Sequence, residues 1–130
     1  MSVPDDPSRL LQLSSIILRV ENLEHSEAWY QSVFGFQVDY RDPSYRLVRF
    51  SGGITGSVAL WERRPGESFQ PLNRESAFLT FVAPDLYEAR EALVARGADC
   101  TPLSTEPGTH FFWVSDPNGH QILVIQLLME

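Results

Sequence analysis

The chain contains no lysine: all ten of its basic residues are arginine. No side chain can therefore form a Schiff base or act as a low-pKa amine, which removes a whole class of covalent catalysis. The single cysteine, Cys100, has no partner for an intramolecular disulfide. Histidine is also scarce, with only His25, His110 and His120. Purely apolar runs are too short to cross a bilayer, and the N-terminus lacks the basic and apolar stretch of a secretion signal. The net charge of −7 argues against nucleic acid and against an anionic membrane, because both demand a basic surface. These absences together lead us to expect a cytoplasmic protein.

What is present suits one domain: 130 residues, of which 43% are hydrophobic and 12% aromatic. Residues 1–9, with two prolines and two aspartates, read as a flexible leader. Beyond them the chain repeats itself. Setting Leu23 over Leu86 aligns "IILRVENLEHSEAWYQSVFG" with "LTFVAPDLYEAREALVARG". Each copy has an apolar strand, a cap residue (Asn22 or Asp85), a helix of about eleven residues and a stop glycine (Gly35 or Gly97). Glu88, three residues after Asp85, completes a capping-box pattern.

Strand signals follow each helix. The first half offers "FQVDY", "YRLVRF" and "SVALWE"; the second offers "THFFWVS", "HQILVIQ" and a shorter candidate around "DCTPL". Between the last two long strands, Asp116-Pro117-Asn118-Gly119 is a strong turn signal. The sequence therefore predicts an α+β fold of two βαβββ modules, residues 10–62 and 77–130, joined by a polar linker over 63–76. The two sheets should pair into one curved mixed sheet with the helices outside, since neither module can bury its sheet alone. Strand alternation in "SIILRV" places Ser15, Ile17 and Arg19 on the concave side and Ile16, Leu18 and Val20 toward the helices.

The motifs "ILRVENLEHSEAWYQSVFGF" and "FFWVSDPNGHQILVIQ", in that order on a two-copy βαβββ chain, resemble the vicinal oxygen chelate superfamily. Glyoxalase I, fosfomycin and bleomycin resistance proteins, and extradiol dioxygenases belong to it. The resemblance implies a cup-shaped fold, often a homodimer with sites between chains, and in the metalloenzymes a divalent metal held by His, Gln and Glu. Carried over by residue, the ligand positions fall on Ser15, on Leu60 give or take one residue, on Phe78 and on Leu123. Only Ser15 offers an oxygen, and a neutral hydroxyl is a poor ligand, so no metal and no other cofactor is expected. His25 reads as solvent-facing on the first helix. His110 and His120 flank a hairpin and would stand roughly 16 Å apart, too far to share a metal. A site built from one histidine with Glu62 or Glu106 is the remaining route to one.

If Leu123 faces the cup, Gln121 and Ile125 do too, and the adjacent strand contributes either Phe111 and Trp113 or His110 and Phe112. In fosfomycin-resistance relatives an aromatic three residues before the turn aspartate faces the ligand, which implies Trp113. Ile17, Val58, Leu60, Phe78 and Thr80 would complete an apolar cavity with a few polar handles. In glyoxalase I relatives the arginine of the "LRV" motif contacts an anionic group of the substrate, which marks Arg19. An ion pair with Glu21 or Glu62 would instead make Arg19 structural. The expectation is a metal-free protein binding an apolar or aromatic small molecule in the cup, in the manner of sequestration or resistance proteins. The competing expectation is a divergent lyase, isomerase or dioxygenase with unusual ligands or none. No G-x-S-x-G elbow supports serine catalysis. The glycine-rich stretch at 52–56 lies between strands and reads as a hairpin or rim, not a phosphate loop.

Overall fold

A computed structural model describes residues 11, 14–51, 57–105 and 110–126. The leader, the glycine-rich stretch at 52–56 and Glu106 lie outside the described residues. In chain order the elements are β1 (Ser15–Val20), α1 (Leu23–Phe34), β2 (Gln37–Asp42), β3 (Leu47–Ser51), β4 (Ser57–Glu62), β5 (Leu79–Ala83), α2 (Leu86–Ala95), β6 (Asp99–Cys100), β7 (Phe111–Ser115) and β8 (Gln121–Gln126). The two halves share one topology. Strand order is β1-β4-β3-β2 in one sheet and β5-β8-β7-β6 in the other. The first strand of each half runs parallel to the last, and the other pairings are antiparallel.

The expected α+β layout of two βαβββ units holds, and the local signals act as anticipated. The Asn22 side chain accepts from the backbone N–H of His25, and that of Asp85 from Glu88, so each helix start has an orphan donor satisfied. Gly35 closes α1 in the left-handed region, where a side chain is disfavoured. In the last hairpin Ser115 lies opposite Gln121, and β8 begins there, one residue after the His120 that opens the strand signal "HQILVIQ".

Among the described residues the two sheets are separate hydrogen-bonded units, and side chains join them. Leu18, Val20, Val48, Phe50 and Leu60 of the first sheet lie in one buried cluster with Leu79, Phe112, Val114, Ile122 and Val124 of the second. Both helices feed it through Leu23, Tyr30, Val33, Leu86 and Leu93. Each such side chain contributes about 1.5–3 kcal/mol when fully buried. Phe81 of β5 stacks on Phe34 at 5.3 Å between ring centres and meets Phe36 at 6.0 Å, an aromatic bridge between the modules.

The Asp-Pro-Asn-Gly turn is the polar counterpart of this bridge. Asp116 is only 5% exposed, and its Oδ2 accepts from the Tyr30 hydroxyl at 2.7 Å. Its Oδ1 accepts from the backbone N–H groups of Asn118 and His120, both at 2.8 Å. Asn118 reaches the first module, donating to the Ser26 hydroxyl at 3.1 Å and accepting from the Glu21 N–H at 2.9 Å. Burial, and then the neighbouring Asp116 carboxylate, push the Tyr30 phenol well above its usual range, so this hydroxyl remains a donor.

His120 completes the junction. The Leu72 N–H donates to its Nδ1 at 2.9 Å, so its Nε2–H is the group that donates to the Arg19 carbonyl at 2.7 Å. This histidine is 2% exposed and fully engaged, tying β1, the linker and β8 together.

Replacing Asp116 by Ala strands several buried donors at about 1–3 kcal/mol each. We expect Asp116→Ala to lose about 3 kcal/mol or more and Tyr30→Phe about 1–2 kcal/mol. Urea unfolding checks both; equal small losses would show that the turn does not join the modules.

Candidate functional site

With one side of each sheet committed to the core, the other side is open. In the first sheet the register puts Ser15 beside Ser57, Ile17 beside Ala59 and Arg19 beside Trp61. In the second, Thr80, Leu123 and Trp113 lie side by side across three strands, with Val82, Ile125 and Phe111 in the next row. Gln121 stands opposite Ser115 at the end of this face. The two alternatives for β7 are thereby resolved: Phe111 and Trp113 share the open face, whereas Phe112 is fully buried and His110 precedes the strand. Apolar side chains on these faces remain accessible, Ile17 at 49%, Val82 at 52% and Phe78 at 37%.

Two expected site residues are corrected. Leu60 is fully buried, packed beside Leu18 and Val48, and Val58 pairs with Ile16 and Phe50 and packs against the core, whereas Ile16, expected to face the helices, is exposed at the start of β1. Ala59 and Trp61 take the opposite side of the sheet, where Ala59 is covered by its neighbours and Trp61 is half-buried. The cause is the run Val58, Ala59, Leu60, Trp61, which is apolar throughout and carries no alternation. The strand register alone fixes which side each faces.

Trp61 is consequently a site-facing residue that the sequence reading missed. The Arg19 guanidinium lies 4.1 Å from the centre of its ring. Arg19 also donates from Nε to the Trp61 carbonyl at 3.2 Å and from Nη2 to the Glu62 carbonyl at 3.3 Å. Its ion-pair partner is Glu67, with Nη2 to Oε1 at 2.5 Å, and not Glu21 or Glu62. The Arg19 guanidinium in turn holds the Glu67 carboxyl below the usual carboxylate range. Glu62 serves another cluster: Arg46 and the Leu23 N–H bind it and bring its carboxyl down to about 2.

Trp113 is held from behind by its backbone N–H, which donates to the Thr101 hydroxyl at 2.9 Å. Phe78 meets its ring edge-to-face at 4.8 Å, and the Arg74 guanidinium lies 4.5 Å from the ring centre. Arg74 is a second residue the sequence reading missed. It sits in the linker, where side chains follow no period, and its own N–H is anchored on the Gln121 amide oxygen at 3.1 Å.

The metal-ligand positions carried over from the resemblance are therefore occupied by Ser15, Ala59 or Trp61, Phe78 and Leu123. Apart from the neutral Ser15 hydroxyl, a poor ligand, these side chains are hydrocarbon or aromatic and offer a divalent cation no lone pairs, so the set does not fit one. Among the described residues no three His, Cys, Asp or Glu side chains converge. His120 is committed to the core and His25 is exposed on α1.

Comparison with known proteins agrees with this fold. The profile of the Glyoxalase/Bleomycin resistance protein/Dioxygenase superfamily matches residues 12–124. The chain belongs to this superfamily. Among solved structures, an antibiotic binding protein, TnmS3 of Streptomyces sp. CB03234, superposes with a TM-score of 0.75 at 20% identity, covering 91% of this chain and 97% of that one. The fosfomycin resistance protein FosX of Listeria monocytogenes gives 0.74 at 19% identity over 92% and 95%. An integron cassette protein from the Halifax Harbour sewage outfall metagenome gives 0.74 at 23% identity over 89% and 98%. Curated protein sequences yield no match. At these identities the likeness establishes the superfamily fold, and the open faces must speak for the chemistry.

Glu62 gives a pH signature to this superfamily member. Its folded pKa of about 2 lies below the ordinary 4.5, so its contribution to stability is present above about pH 4.5 and is lost as pH falls toward 2. Glu62→Gln is expected to lower stability at pH 7 and to flatten the acid limb between pH 4.5 and 2. Urea midpoints across that range measure it, and an unchanged acid limb would contradict the assignment.

Proposed function

We propose that this protein is a cytoplasmic, metal-free member of the superfamily that binds an apolar or aromatic small molecule against the open face of its second sheet. The observation that carries this reading is the surface formed by Trp113, Phe78, Leu123 and Phe111, an aromatic and aliphatic wall in which Phe78 and Leu123 stand at positions that the resemblance assigns to metal ligands. Phe78 and Trp113 meet edge-to-face, and together they present a partly accessible apolar surface on which a planar ring can stack. Thr80 and Gln121 stand at the margins as neutral polar handles. TnmS3, an antibiotic binding protein, is in keeping with such a site.

Binding of this kind works by burial. A ligand stacked on Trp113 loses apolar surface from water, and no bond need be made or broken. A single chain leaves Ile17 and Val82 half accessible, so we further propose a homodimer in which a second copy covers part of the open faces. Light scattering is expected to give twice the mass of one chain at micromolar concentration; a single-chain mass would contradict the dimer.

Titration with N-phenyl-1-naphthylamine, a neutral fluorescent aromatic, tests the site directly. Saturable binding is expected, weakened about tenfold or more by Trp113→Ala, which removes roughly 1.5–3 kcal/mol of aromatic burial. An affinity unchanged in that variant would place the ligand elsewhere.

A further inference from the structure

Acidic residues outnumber basic ones seventeen to ten, so an arginine in this chain does not lack carboxylates to pair with. Arg19, Arg41, Arg46, Arg49 and Arg63 all take one. Arg90 and Arg96 donate to the carbonyls of Thr101 and Val33. Arg64 and Arg74 differ: among the described residues neither guanidinium makes an ion pair or hydrogen bond, and each lies over an indole instead, Trp61 at 5.3 Å and Trp113 at 4.5 Å.

The two are not equivalent. Glu67 accepts from the Arg64 backbone N–H at 2.7 Å, and the Arg64 charge contributes to the lowered pKa of that carboxylate. Arg64 therefore sits in the field of an acid already on site. Arg74 has no such partner among the described residues, and its backbone is pinned to Gln121 on the open face. A guanidinium placed over an indole is held there by the cation–π contact, while its N–H groups are left without a protein acceptor among the described residues. That arrangement suits a fork that recognises a planar or tetrahedral anion.

We infer that Arg74 is the anion-recognising residue of this site, and that its ligands combine an apolar or aromatic body with one anionic group, a carboxylate, sulfonate or phosphate. The body rests on the Trp113 and Leu123 wall while the anion meets the exposed edge of the Arg74 guanidinium. With a net charge of −7 the protein as a whole repels anions, so affinity for such a ligand must come from this local cation. The inference rests on the reading of the open face proposed above.

A matched pair of probes separates the two. 8-Anilino-1-naphthalenesulfonate and N-phenyl-1-naphthylamine share one aromatic body and differ by the sulfonate. Titrated against the 130-residue chain, the sulfonate is expected to weaken at least about tenfold in Arg74→Gln, the loss of one charge-assisted contact. The neutral probe should stay within about twofold. Arg74→Lys, which keeps the charge but not the fork, should fall between, and Arg64→Gln should change neither probe. Equal weakening of both probes in Arg74→Gln would reduce Arg74 to packing, and no change in either would remove it from the site; both overturn the inference. Wild-type protein that binds the neutral probe but not the sulfonate overturns it while the open-face reading stands. Binding of neither probe overturns both.

Discussion

A single buried carboxylate organises this molecule. Asp116 sits at the tip of the last hairpin, yet its side chain points inward and accepts from groups of its own turn and from Tyr30 on the first helix. A carboxylate this buried is tolerable only because donors surround it. The turn consequently has one seating against the first module. Asn118 and His120, on either side of Gly119, add contacts to Ser26, Glu21 and Arg19 from the same short segment. Gly119 holds a positive φ of 89°, which lets the chain reverse between them.

Seating the turn fixes what faces outward. With His120 locked between Leu72 and Arg19, β8 starts at Gln121, and alternation then sends Ile122 and Val124 to the core and Leu123 to the open side. Pairing with β7 places Trp113 beside Leu123. The polar junction and the apolar wall of the open face are thus successive consequences of one turn register. In the first sheet the corresponding constraint is the parallel pairing of β1 and β4, which brings Arg19 next to Trp61 and leaves Leu60 in the core.

Much of this was legible in the residues. The repeat, both helix caps and the stop glycines rest on local chemistry and formed as read; the last turn formed at its Asp-Pro-Asn-Gly signal, with β8 starting one residue later than read. The open-face positions of Ser15, Ile17 and Arg19 followed from alternation in β1 because its polar residues mark one side. The same rule failed for Val58 and Leu60, since an unbroken apolar run marks neither side and only the partner strand decides. Charged partners from the linker were likewise invisible: Glu67 pairs with Arg19 from a segment that has no period, and Arg74 lies over the Trp113 ring from the same segment. Side chains supplied by irregular segments are the part of a site that pattern reading does not resolve.

The central claim is that the open faces of this superfamily member are built to receive a molecule and not a metal. Elemental analysis tests it most directly, on tag-free protein purified without chelator, incubated separately with Mn²⁺, Fe²⁺, Ni²⁺ and Zn²⁺, and then desalted. The account predicts that no metal is retained beyond a trace, because Ser15, Phe78 and Leu123 stand where donors would be needed. Retention of about one tightly held ion per chain would contradict it and would return the protein to the metal-dependent enzymes of its superfamily.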